Sequence, residues 1–101
     1  MIRFVWDPVK ARTNLRKHGV TFEDAMYVFD DPGARFEQDR ADEGGDPRWQ
    51  ALGLAGGVLL LLVAHTVREE GRDEIIRLIS ARRATRKERN RYDETRAQDA
   101  G

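Results

Sequence analysis

The sequence predicts an α+β domain: an antiparallel sheet carried by the second half of the chain, with two helices before it and one after, segregated to one side of the sheet. Three observations carry this. Two helical segments with capping signals fall within residues 8–30. Four strand-type segments follow between residues 34 and 80, most separated only by turn residues. No helix stands between the later strands, so the crossovers a parallel sheet needs are missing. The order that results is β-α-α-β-β-β-β-α.

Each element has a local cause. Ile2-Arg3-Phe4-Val5-Trp6 is β-branched and aromatic and reads as a strand. Asp7 is an N-cap with Pro8 at the first helical position, and the helix runs to His18 before Gly19 stops it. Thr21 caps a second helix, in which Phe22, Ala25, Met26 and Phe29 make one apolar face. Asp31-Pro32-Gly33 ends it. Ala34-Arg35-Phe36 and Arg48 to Leu54 are strands on either side of an acidic loop, residues 37–47. Gly56-Gly57 is a hairpin signal, with Gly53 assigned to the same hairpin. Val58 to His65 is apolar on both faces and so central. Glu69-Glu70-Gly71-Arg72 turns the chain into a strand from Asp73 to Ser80. Thr85-Arg86-Lys87-Glu88 is a capping box that opens a last helix to about Glu94. The domain is expected to span residues 1–94, with 95–101 a flexible tail.

Composition narrows the classes. The 101 residues suit one domain. There is no cysteine, which excludes a disulfide scaffold and cysteine nucleophiles. The longest apolar run, Val58 to Ala64, is far short of the ~20 residues that span a bilayer. With no secretory signal apparent, a cytoplasmic protein with no membrane partner is expected. Lys+Arg and Asp+Glu both number 18, yet the charge is segregated. Residues 1–20 hold five basic side chains and one acid, 21–46 two and nine, 47–81 four and four, 82–101 seven and four. Basic ends around an acidic middle can present one basic face.

The candidate chemistry follows. Arg77 lies inside the strand Ile75 to Ser80 and shares a face with Ile75 and Ile79 by the two-residue period. Arg82, Arg83, Arg86 and Lys87 follow it. Guanidinium forks match phosphate oxygens. His65 ends the apolar strand, and His18 sits in the last turn of the first helix beside Lys17. Histidine is the side chain whose ordinary pKa suits proton transfer near neutrality. The acids Glu37, Asp39, Asp42, Glu43 and Asp46 fail the spacing of a calcium loop, and no histidine pair has zinc spacing. No metal and no cofactor is expected. The two helices around Gly19-Val20 suggest a helix-turn-helix, but residues 22–30 hold Glu23, Asp24 and Asp30 and no Lys or Arg, which opposes a phosphate field.

Taken in order, Phe4-Val5-Trp6-Asp7-Pro8, Lys10, Asn14 to Ala25, Arg48-Trp49, Gly53, Ala64-His65-Thr66, Ile76 to Ala84 and Glu88 to Tyr92 resemble the signature of BrnT-type toxins. The resemblance covers about residues 2–94, apart from the acidic loop. It implies a RelE-like fold and a ribonuclease toxin of a type II toxin–antitoxin system that arrests translation and growth. It also implies a BrnA-type antitoxin with a ribbon-helix-helix part, the complex repressing its own operon, so that operator DNA is met only through the antitoxin.

Metal-free RNA cleavage needs a base for the 2′-hydroxyl, an acid for the leaving 5′-oxygen and cations for the phosphorane. The expected roles are Arg77 and Arg82 on the phosphate, His65 or His18 moving protons, and Tyr92 as donor or base stack. Lys17, Arg83 and Arg86 would steer the strand. Which residue is the base stays open, Glu88 being another candidate. The arrangement requires basic side chains from both ends of the chain to converge. The competing class is a non-enzymatic module that docks nucleic acid or protein.

Overall fold

A computed structural model of the chain describes residues 1–39 and 45–100, with side chains through Thr95. The elements are β1 (Ile2–Val5), α1 (Pro8–His18), α2 (Phe22–Met26) continued by a 3-10 turn (Tyr27–Asp30), β2 (Arg35–Gln38), β3 (Arg48–Ala55), β4 (Leu59–Glu70), β5 (Asp73–Arg83) and α3 (Arg86–Ala100). The helix expected to reach Glu94 therefore continues to Ala100.

All five strands form one sheet in the order β1-β5-β4-β3-β2. The β2–β3, β3–β4 and β4–β5 pairs are antiparallel, as hairpin-length connections require. Gly56 and Gly57, with φ of 61° and 75°, make the β3–β4 turn, two positive dihedrals that match the twist of the strands. Gly53 plays another part: a Cβ there would lie 3.0 Å from the side chains of Ala34 and Val28, so the bare backbone lets the 3-10 turn pack onto β3.

Two expectations need correction. β1 runs parallel to β5, Ile2 opposite Glu74 through Val5 opposite Arg77, so the sheet is not wholly antiparallel. The intervening chain, α1 through β4, supplies the long connection that parallel pairing needs. Nor do the helices gather on one side. Val20, Phe22, Ala25 and Val28 pack with Ala51, Leu61, Val63, Ile76, Leu78 and Ala81 on one face. Tyr92 of α3 packs with Leu52, Leu60 and Leu62 on the other. β4 is buried on both faces because it feeds both cores.

Polar side chains complete the sheet where partners end. β1 reaches only Arg77, leaving the next stretch of β5 without a strand on that side. Buried Asn14 of α1 takes the place: its Nδ2 donates to the Ala81 carbonyl at 2.9 Å and its Oδ1 accepts from the Ala81 amide at 3.0 Å. The same Nδ2 donates to the Val20 carbonyl. At the other side β2 begins opposite Leu52, and the Leu54 amide beyond it donates to Asp31 Oδ2 at 2.8 Å. The Tyr92 hydroxyl donates to that same oxygen at 2.7 Å, tying α3 to the end of the 3-10 turn.

α3 starts as the sequence indicates. Thr85 Oγ1 accepts from the Glu88 amide and Glu88 Oε1 accepts from the Thr85 amide, the reciprocal capping box. Arg82 donates to both Glu88 oxygens, at 2.8 and 2.9 Å. That bidentate contact is the main reason the Glu88 carboxyl is held down at about 2.

Two stability predictions follow. Asn14→Ala leaves buried backbone groups of Ala81 and Val20 unpaired and is expected to cost about 2–4 kcal/mol in denaturant unfolding. Glu88→Gln is expected to cost about 1–2 kcal/mol at neutral pH. Because the Glu88 value is lowered by folding, its contribution is complete above the ordinary carboxylate range and is lost as pH falls toward 2. The stability difference between wild type and Glu88→Gln should therefore close on acidification.

Candidate nucleic-acid interface

The face that α3 shares is only half covered. Side chains alternate along a strand, and residues in register share a face. The face of Leu60 and Leu62 therefore also carries Thr66 and Arg68 of β4, Arg48 of β3, Ile75 and Arg77 of β5, and Arg3 of β1. Arg3, Ile75 and Arg68 stand in one row across three strands; Val5, Arg77, Thr66 and Arg48 stand in the next. Strands ~4.8 Å apart and rows ~7 Å apart put each arginine ~8 Å from its diagonal neighbour at Cα. Arg3, Arg68 and Arg77 are exposed and Arg48 is half-buried.

This is a track of four cations on an open surface. Three of them touch exposed or half-exposed acids: Arg3 with Asp73 at 3.9 Å, Arg68 with Glu70 at 3.2 Å, Arg48 with Asp39 at 3.6 Å. Such pairs hold weakly in water and yield to a polyanion. Arg77, at the centre, makes no ion pair among the described residues. Cations about 8 Å apart on one face suit a backbone that carries charge at regular intervals.

The residues expected from the sequence fall in several places. Arg77 is in the track. Arg82 is on the same face but is held by Glu88, which raises its already high pKa. It acts as a helix anchor rather than an unengaged phosphate clamp. Arg86 is the first residue of α3 and is exposed. Arg83 pairs with Leu61 and so lies on the opposite face. Lys17 and His18 are exposed in the last turn of α1, one turn past Asn14 and its contact with the β5 edge. The basic residues thus do not converge on one point.

Two expected residues are out of reach of a substrate. His65 is 2% exposed, with its ring edge-on to Phe29 at 4.9 Å and Phe36 at 6.2 Å. Its Nδ1 lies 3.2 Å from the Val63 carbonyl, which fits a proton on that nitrogen. Burial lowers its pKa, so the ring is neutral at pH 7. It is a core histidine. Tyr92 is also 2% exposed and spends its hydroxyl on Asp31. His65 stands on an apolar strand face and Tyr92 on an otherwise polar helix; the segments that cover them are distant in sequence, so local periodicity does not show their burial.

Sequence reasoning missed Arg3, Arg48 and Arg68. Each sits in a strand with a visible two-residue period. The missing information was the register, above all the parallel pairing of β1. Of the acidic loop, Asp42 and Glu43 lie outside the described residues; Glu37 belongs to β2, and Asp39 accepts from Gln50 and pairs with Arg48. Among the described residues no three His, Asp or Glu side chains gather as metal ligands. The helix-turn-helix reading finds a single-turn α2 whose exposed residues include Glu23 and Asp24, with no basic side chain.

Comparison with known proteins agrees with this geometry. No curated protein matches the chain. A solved structure, the Brucella abortus ribonuclease toxin BrnT, is similar over 85% of this chain and 100% of that one, with 26% identity and a TM-score of 0.64. It supports a mixed α+β fold of this kind. No described helix is long and apolar enough to cross a membrane. The family model described as "Ribonuclease toxin, BrnT, of type II toxin-antitoxin system" matches residues 6–88. That family brings an RNA target and an antitoxin partner with it. With most of its length matched, the chain belongs to the BrnT family of ribonuclease toxins.

Proposed function

We propose that this chain is an endoribonuclease toxin of RelE-like fold that acts in the cytoplasm, cutting RNA without a metal and thereby arresting translation and growth. A BrnA-type antitoxin neutralises it, and the pair represses its own operon through the antitoxin's contact with operator DNA. The observation that carries the reading is the arginine track with Arg77 at its centre, in no ion pair among the described residues. An open sheet face with four cations in succession suits a single strand of RNA better than a small-molecule substrate.

The chemistry is transesterification. The 2′-hydroxyl loses its proton as its oxygen bonds to the adjacent phosphorus. The bond from phosphorus to the 5′-oxygen then breaks, and that oxygen gains a proton, leaving a 2′,3′-cyclic phosphate. Arg77 holds the phosphate and meets the charge that grows on its equatorial oxygens. Arg3, Arg48 and Arg68 fix the neighbouring phosphates, and Arg86 extends the basic surface toward α3. His18 is exposed in the last turn of α1 with Lys17 beside it, and Arg83 stands on that same helical side of the sheet, so these three lie away from the phosphate held at Arg77, where Lys17 and Arg83 would steer flanking RNA.

The test uses antitoxin-free protein and RNA in the presence of a chelator. Cleavage leaving 2′,3′-cyclic ends is expected. Arg77→Ala, folded by circular dichroism, should cleave about a hundredfold more slowly or worse. Arg48→Ala and Arg68→Ala should each weaken RNA binding and reduce the slope of log affinity against log salt by about 0.7–1. Full cleavage by a folded Arg77→Ala protein removes the assignment. Salt-sensitive binding with no cleavage would identify a non-enzymatic module instead. For the histidines, folded His18→Ala and His65→Leu proteins should each cleave within about twofold of wild type, because neither ring reaches the phosphate at Arg77.

A further inference from the structure

The two faces of the molecule offer different chemistry. Large apolar side chains that stand exposed, among them Leu15, Tyr27, Phe36 and Val58, lie on the helical face, at strand ends or in turns. The two that belong to strands, Ile2 and Phe36, both project from the helical face. Protein interfaces need desolvated apolar anchors, above all aromatic ones, ringed by polar groups. The strands of the arginine face lack them. The helical face has them, and one of them, Tyr27, stands on a ridge flanked by clefts.

That ridge is α2 with its 3-10 turn. A cleft of about 220 Å³ lies at each end. One is bounded by Tyr27, Asp30, Pro32, Leu54 and the Gly56-Gly57 turn. The other lies between α1 and the start of α2, lined by Ala11, Arg12, Leu15, Thr21, Phe22 and Glu23. Tyr27 is 54% exposed between them. Glu23 and Asp24 precede it by four and three residues, the spacing of helical neighbours, and Asp30 follows it by three. All three acids are exposed and none is in an ion pair among the described residues. An aromatic anchor between two apolar clefts, flanked by three unpaired carboxylates, complements a cationic segment that also carries aliphatic side chains.

We propose that the α2 ridge is the docking surface for the antitoxin. It takes a basic, apolar-faced segment whose aliphatic side chains enter the two clefts and whose Lys or Arg side chains meet Glu23, Asp24 and Asp30. This rests on the toxin–antitoxin membership of the chain, and on no assumption about which residues cut RNA. The antitoxin's anchor and the RNA track then lie on opposite faces of one sheet. Loss of antitoxin affinity and loss of cleavage become separable by mutation.

The experiment measures affinity for the purified cognate antitoxin by calorimetry at two salt concentrations, and RNA cleavage by the antitoxin-free chain. Tyr27→Ala is expected to weaken antitoxin binding at least tenfold with cleavage unchanged. The combined variant Glu23→Lys, Asp24→Lys, Asp30→Lys should weaken it similarly and reduce its salt dependence. These positions are exposed, and circular dichroism verifies the fold. Binding within twofold of wild type in all of these variants, with loss in Arg77→Glu, overturns the proposal and puts the antitoxin on the arginine face. A concentration-dependent dimer of the antitoxin-free chain, abolished by Tyr27→Ala while antitoxin affinity is unchanged, also overturns it and assigns the ridge to a second copy. If wild-type chain binds antitoxin through the ridge but cuts no RNA, the nuclease reading fails and the docking surface stands.

Discussion

β4 and β5 pair in step from Glu70 with Asp73 to His65 with Leu78, and again from Ala64 with Ser80 to Leu61 with Arg83. Ile79 falls between the two runs as an extra residue on β5. A single inserted residue reverses the facing of everything after it. Leu78 and Ala81 both enter the helical core although they are three residues apart. Arg77 and Arg82 share the other face although they are five apart. Without the bulge, Arg83 would have joined Arg77, and Arg82 would have pointed toward the helices, away from Glu88. The start of α3 and the composition of the arginine track both depend on that one slip in register.

The sheet ends are completed by the same device on both sides. β5 continues past β1, and β3 continues past β2. Each would leave a backbone amide without a partner strand, a cost of a few kcal/mol where water is excluded. Asn14 supplies both a donor and an acceptor to Ala81, and Asp31 supplies an acceptor to Leu54. Both side chains also bind a second element: Asn14 bonds the Val20 carbonyl ahead of α2, and Asp31 accepts from Tyr92 of α3. The helices on opposite faces are thereby referenced to the sheet through hydrogen bonds of fixed direction, which apolar packing alone would not provide.

This matters for the division of labour between the faces. α3 has a polar sequence and is held by one buried tyrosine, one capping box and one arginine–glutamate fork. It covers the leucines of β3 and β4 and leaves the arginines of β1, β3, β4 and β5 exposed or half-exposed. Charged groups on that open surface stay hydrated until a polyanion replaces the water. The helical face carries the exposed Tyr27 beside the exposed acids Glu23, Asp24 and Asp30. A chain with equal numbers of acids and bases thus presents one surface for phosphate and another for protein.

Local signals in the sequence carried most of the secondary structure, because their causes are local. Asp7-Pro8, Gly19, Thr21, Gly56-Gly57 and the Thr85–Glu88 box act within a few residues of themselves, and an apolar run such as Val58 to Ala64 must be central wherever it pairs. The motifs spread from Phe4 to Tyr92 also carried the family. The side on which α3 lies, the direction of β1, the bulge at Ile79 and the burial of His65 were not legible in this way. Each is decided by contact between segments tens of residues apart, where register and layer packing set which side of a strand meets solvent. Residue type alone marked Arg77 as a phosphate ligand and His65 as a proton carrier with equal force. Tertiary structure separated them, leaving one guanidinium exposed on an open sheet and enclosing the imidazole against Phe29 and Phe36.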